Sequence, residues 1–170
     1  MIAILDVHYH DDAGAAACVL IDRWTDATAR DELTERVAPV EPYVPGQFYR
    51  RELPCLLAVL RKAPPALEAI VVDGHVWLGA TGSPGLGAHL HAALREATPI
   101  IGVAKTPYAG TPPHVAAPLL RGTSRQPLYV SATGLSLEVA VDHIRAMPGL
   151  HRLPELLKRA DQLARLTISR

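Results

Sequence analysis

Asp6 follows the apolar run Ile2-Ala3-Ile4-Leu5, and Asp73 follows Ala69-Ile70-Val71-Val72. Each run has the length and β-branched content of a buried strand. A carboxylate at the end of such a strand is costly unless it meets a cation or another partner. If the two strands are neighbours, the carboxylates repel unless a divalent ion sits between them. A third acid, Glu52, falls between them in Arg50-Arg51-Glu52-Leu53-Pro54. The pattern predicts an oxygen-ligand metal site at the strand ends of an α/β sheet, an arrangement suited to cutting or transferring phosphates. Plainer roles exist for each acid. Asp6 could cap the turn at Asp11-Asp12, Asp73-Gly74 could be an ordinary turn, and Glu52 alone reads as a solvated helix residue.

These acids need a scaffold. Residues 2–7 and 14–22 read as strands joined by a polar turn, which is hairpin spacing. A weaker alternation over 30–40 suggests a third strand, leading into the stiff loop Pro42-Tyr43-Val44-Pro45-Gly46. Residues 47–63 read as a helix despite Pro54, its apolar face built from Leu56, Leu57, Val59 and Leu60. A strand over 69–73, a Gly-rich loop over 74–84, a helix over 85–97 and a strand over 99–104 follow. A Pro-rich loop over 106–114 leads to short strands over 116–121 and 127–132. Ser136 caps a helix over 137–146, with Glu138 in its first turn. A last helix spans 153–166. An antiparallel hairpin followed by alternating helices and strands implies a mixed α/β sheet with helices on its faces.

A chain of 170 residues, 49% hydrophobic and 20% charged, suits one domain with a sizeable core, taken as residues 1–170. No apolar stretch reaches bilayer length, and the N-terminus enters a strand with no leader pattern, so a cytoplasmic protein is the expectation. Cys18 and Cys55 lie in apolar surroundings and read as reduced core thiols. The net charge is zero, but residues 1–100 carry −5 and residues 101–170 carry +5. An acidic end facing a basic one would suit a phosphodiester substrate. None of the eight histidines has a zinc-ligand spacing.

The chain resembles the endonuclease V family. Asp6-Val7-His8-Tyr9 after a strand looks like the family's first motif. Pro42-Tyr43-Val44-Pro45-Gly46, then Phe48 and Arg51-Glu52-Leu53-Pro54, looks like the second. Val71-Val72-Asp73-Gly74 and Gly102-Val103-Ala104-Lys105-Thr106 look like the third and fourth. Leu128-Tyr129-Val130-Ser131, and Arg152-Leu153-Pro154 before Ala160-Asp161, look like the closing segments. The motifs keep the family's order over nearly the whole chain.

The resemblance implies a ribonuclease H-like mixed sheet flanked by helices. It implies a metal-dependent endonuclease that recognises deaminated purine, chiefly inosine, in DNA or RNA. Such an enzyme cuts a phosphodiester one nucleotide to the 3′ side. By position, Asp6, Glu52 and Asp73 would hold Mg²⁺ or Mn²⁺, with Asp161 as a fourth ligand. Lys105 would sit at the phosphate. Tyr43, stiffened by Pro45 in its Pro-Gly loop, would be the wedge that fills the gap left by the base. Gly46 and Gly74 would let the backbone approach that base. No membrane and no stable protein partner are implied.

The chain departs from the family pattern in four places. The family's His-Pro-Arg triplet is missing from His75-Val76-Trp77-Leu78-Gly79-Ala80-Thr81-Gly82-Ser83. His75 stands where a Gly-Asn or Gly-Gln step is usual, and Leu135 follows Gly134 where histidine is common. The family's N-terminal helix is absent from the sequence. The missing triplet, and separately the zero net charge with the shortened N-terminus, leave two other readings beside the first. One is a diverged nuclease without inosine selectivity. The other is a binding module that keeps the fold but does no chemistry.

Overall fold

The computed structural model describes residues 1–42, 44–95 and 98–169. The strands, in chain order, are β1 (Ile2–His10), β2 (Ala13–Ile21), β3 (Asp31–Val37), β4 (Ala69–Asp73), β5 (Trp77–Leu78), β6 (Ser83–Pro84), β7 (Ile100–Ala104), β8 (Ala117–Leu119) and β9 (Leu128–Thr133). The helices are α1 (Tyr49–Leu60), α2 (Leu86–Ala93), α3 (Leu137–Ala146) and α4 (Glu155–Ile168).

Seven strands form one mixed sheet in the order β3-β2-β1-β4-β7-β9-β8. The predicted N-terminal hairpin is present, with Ile2 opposite Ile21 and His10 opposite Ala13. It runs further along β1 than the apolar pattern does, because the small residues of β2 continue to offer backbone partners. Asp11 turns the chain at φ +53°, a conformation that a short polar side chain tolerates. β4 lies parallel to β1 and β7 parallel to β4, while β9 and β8 run antiparallel on the far side.

Alternation along the strands separates two cores. Ile2 and Ile4 of β1 and Val71 of β4 join a cluster with Ala140 and Ile144 of α3 and Leu156, Leu157 and Ala160 of α4. Ala3, Leu5, Ile70 and Val72 face the other way, toward Cys55, Leu56 and Val59 of α1 and Ala88 and Leu90 of α2. Fully burying a side chain such as Leu56 or Ile144 contributes roughly 1.5–3 kcal/mol. The Ser136 cap of α3, whose hydroxyl accepts from the Val139 amide, contributes about 1 kcal/mol. Burial therefore docks the helices, and the cap sets where one of them starts. Pro54 removes one bond inside α1, but its ring is exposed and the helix continues around it.

The loop predicted over 74–84 contains the small β5–β6 hairpin, with Trp77 opposite Pro84 and Leu78 opposite Ser83. Two-residue strands are too short to leave a period in the sequence. Both cysteines are buried and free, as expected. No helix among the described residues is long and apolar enough to cross a membrane.

Candidate active site

In the β1–β4 register Leu5 stands level with Val72, so Asp6 and Asp73 are the next residues on two neighbouring parallel strands. Strand spacing puts their backbones about 5 Å apart. By alternation both side chains leave on the face that packs α3 and α4. β4 ends at Asp73, which opens the rim of the sheet at this point. Glu52 arrives from the opposite layer. It is one turn before Leu56 on α1, 6% exposed, and lines the same crevice as Asp6 and Asp73. Asp161 comes from α4, near enough for its charge to act on Asp6.

The electrostatics of the cluster follow from this crowding. Burial, and then the charge of Asp73, pushes the Asp6 carboxyl up to about 7, although the Val7 amide donates to its Oδ1 at 2.7 Å. Burial, followed by Asp6 and Asp73, pushes Glu52 up to about 9. Its Oε2 is buried and accepts no hydrogen bond. Lys105, one residue past the end of β7, places its Nζ 2.5 Å from Asp73 Oδ2. Burial draws that ammonium down, but the bond to Asp73 and the charges of Asp73, Asp6 and Asp161 leave it above its ordinary value. Arg165 donates its Nε to both oxygens of Asp161 at 3.0 and 2.9 Å, holding that carboxyl low.

Among the described residues, no group of three or more His, Cys, Asp or Glu side chains is arranged as it stands to hold a metal ion. The donor chemistry nevertheless suits a hard divalent ion. The set is all carboxylate, its members repel one another, and an unbonded carboxylate oxygen is buried among them. Lys105 and Arg165 hold the two outer acids, Asp73 and Asp161.

A cavity of about 270 Å³ adjoins the carboxylates and shares Glu52 and Asp73 with them. Its walls include Gly46, Phe48, Tyr49, Gly74, His75 and Tyr108. Gly46 sits at φ +78° with open space where a side chain would start, and Gly74 at φ +150°. Pro45 is exposed on the turn and is not among the lining residues, and Tyr43 lies outside the described residues. The aromatic and imidazole lining went unread in the sequence, since Phe48 and Tyr49 at the start of α1 meet His75 and Tyr108 only in the folded chain. Trp77 does not enter this cavity. Its ring N–H donates to the Ala132 carbonyl at 3.0 Å, which fixes it on the sheet.

His75 is tied to the site rather than swung out of it. Its Nε2 lies 3.0 Å from the Thr106 carbonyl, so Nε2 must be the protonated nitrogen. Burial lowers its basicity, and the ring is neutral near pH 7. Ser131, unremarked in the sequence except as a motif member, is fully buried. Its Oγ accepts from the buried Val76 amide at 2.9 Å. A polar residue at a buried strand position was the available signal. A larger depression of about 600 Å³ lies away from the acids, between β3 and α4, and its Arg30 and Arg159 are already paired with Asp22 and Glu32.

The model of the Endonuclease V family matches residues 1–162. The chain belongs to the endonuclease V family. It is 34% identical to Endonuclease V of Streptomyces avermitilis over 95% of this chain and 77% of that protein. It is 36% identical to Endonuclease V of Rhodospirillum centenum, over 88% and 68%. The crystal structure of the Streptomyces avermitilis protein superposes with a TM-score of 0.77, covering 99% of this chain and 81% of that one. Human ENDOV gives 0.78 at 26% identity, covering 99% and 84%. The fold is also shared, at 19% identity and a TM-score of 0.83, with Ciona intestinalis Endonuclease V crystallised in complex with a 23mer DNA containing an inosine followed by a ribo-adenosine. The sheet is thus the ribonuclease H-like one of the endonuclease V structures.

Proposed function

We propose that this endonuclease V family member is a divalent-metal-dependent endonuclease that cuts DNA or RNA 3′ to a deaminated base, leaving a 5′-phosphate and a 3′-hydroxyl. One observation carries the reading. Three carboxylates from β1, β4 and α1 converge on the sheet rim, and a base-sized cavity shares two of them. A planar base in that cavity would place its neighbouring phosphodiester beside the acids.

Asp6, Glu52 and Asp73 would hold Mg²⁺ or Mn²⁺, with Asp161 as an outer member. Such an ion supplies an activated water and screens charge on the transferring phosphate. The protein's own residues do the rest. Burial and the neighbouring charges raise Asp6 and Glu52 in the metal-free chain, so the site favours exchanging their protons for a divalent ion. Lys105 offers a point charge to the phosphate oxygens. Gly46 and Gly74 carry no side chain at the cavity wall, so a base edge could approach the backbone there, although the Gly74 amide itself already donates to the Val103 carbonyl. The aromatic lining supplies a stacking surface worth roughly 1–3 kcal/mol, enough to offset much of the cost of unstacking a base.

The test is cleavage of end-labelled DNA and RNA carrying a single inosine, against inosine-free controls, with Mg²⁺ and with chelator. The reading requires metal-dependent cleavage at one position past the inosine. Cutting that ignores inosine would keep the carboxylate chemistry and reject the cavity's role. No cutting of any substrate would reject the enzyme.

A further inference from the structure

Lys105 stands on a segment with no sheet to hold it. β7 ends at Ala104, and residues 105–110 are all exposed. Two side chains from elsewhere grip this segment by its carbonyl oxygens. Arg152 donates Nη2 to the carbonyl of Lys105 and, at 2.6 Å, to that of Pro127. Its Nη1 lies 3.3 Å from Gln126 Oε1. His75 donates to the next carbonyl, that of Thr106.

Arg152 is itself fixed. Arg121, only 6% exposed, donates to the carbonyl of Met147 and, at 3.2 and 3.3 Å, to those of His151 and Arg152. Two guanidinium groups thus run in series from the β8–β9 connection, through the loop before α4, to the backbone of Lys105. A planar fork suits this task, because one rigid group can meet two acceptors at set angles. Neither arginine reaches the carboxylates, and neither is paired with an acid among the described residues.

We infer that Arg152 is a positioning residue, which holds the Lys105 ammonium against Asp73 by clamping the Lys105 carbonyl, with Arg121 as its anchor. The inference rests on the nuclease reading only for its consequence in catalysis. The clamp itself is a property of the folded chain.

Two experiments test it. The sequence has three lysines, Lys62, Lys105 and Lys158, so lysine labelled with ¹³C gives few ε-methylene NMR signals. In metal-free wild type the Lys105 signal should show two inequivalent ε protons, as an immobilised side chain does. In Arg152→Ala, and in Arg152→Met if the alanine variant does not fold, they should merge toward free-lysine values while Lys62 is unchanged. An unaltered Lys105 signal overturns the inference whether or not the protein cuts nucleic acid. The second experiment is a cycle of single-turnover cleavage rates. Arg152→Ala should slow cleavage about 10- to 100-fold in the wild-type background. In a Lys105→Ala background the same change should cost less than about 3-fold, since a clamp has nothing left to position. Equal losses in both backgrounds overturn the inference. Inactive wild type would refute the nuclease reading alone and leave the NMR result to decide the clamp.

Discussion

Without metal, the carboxylate cluster should make the protein less stable as the pH rises. Glu52 at about 9 and Asp6 at about 7 both lie above the ordinary carboxylate range near 4, because burial and mutual charge favour their protonated forms. Over the window between those values the folded chain binds more protons than the unfolded one, so stability falls with pH. The charge of Asp6 raises Glu52, so the two are not independent, and counting only one excess proton for the cluster gives about 1.4 kcal/mol per pH unit. From about pH 5 to about pH 8 the loss is about 4 kcal/mol, which lowers Tm by about 8–16 °C in a chain of this size. Asp161 and Glu32, held low by Arg165 and Arg159, act in the opposite sense, but only as pH falls through the acid range below this window. Thermal melts in chelator across the window measure the effect. Saturating Mg²⁺ should restore about 3 kcal/mol at the alkaline end and little at the acid end, because bound metal replaces the protons. Glu52→Gln should flatten the chelator curve. A metal-free Tm that stays level or rises from about pH 5 to about pH 8 would refute the reasoning, as would an unchanged slope in Glu52→Gln.

Asp6→Asn should lower cleavage about 100-fold or more while raising the metal-free Tm at about pH 8, since it removes a repelling charge; a loss of both would point to a folding defect instead. Gly102→Ala should cost about 1–3 kcal/mol in denaturant melts, because an added Cβ would lie 2.5 Å from the Gly74 carbonyl oxygen and 2.9 Å from the Val76 nitrogen. Arg159→Ala, which cuts the tie from α4 to Glu32 on β3, should cost no more than about 1 kcal/mol, since both partners are part exposed, and less still at high salt.

The strands that carry the aspartates were legible because buried parallel strands are written as continuous β-branched runs. The resemblance ordered the motifs, and the family match and superpositions agree with it. Glu52 was ambiguous on its own, because a helix acid shows no sign of burial until α1 is docked. The β5–β6 hairpin was too short to register. Arg121 and Arg152 could not be read as a clamp, because their acceptors are backbone carbonyls and carry no residue identity. The cavity walls were hidden for a related reason. The Phe48-Tyr49 pair, His75 and Tyr108 are far apart in the chain and line one cavity only in the folded molecule.

Asp6 and Asp73 belong to one face of the sheet, and Glu52 is delivered from the helix layer on the other. The reactive centre is therefore a seam between two hydrophobic cores rather than a feature of either. A molecule that lets α1 lift off while the sheet and α4 stay packed would keep two aspartates and lose the third acid together with Phe48 and Tyr49. It would be compact, hold most of its secondary structure and be chemically silent. For this chain, catalytic competence is a sharper report of complete folding than any spectroscopic measure of helix or strand.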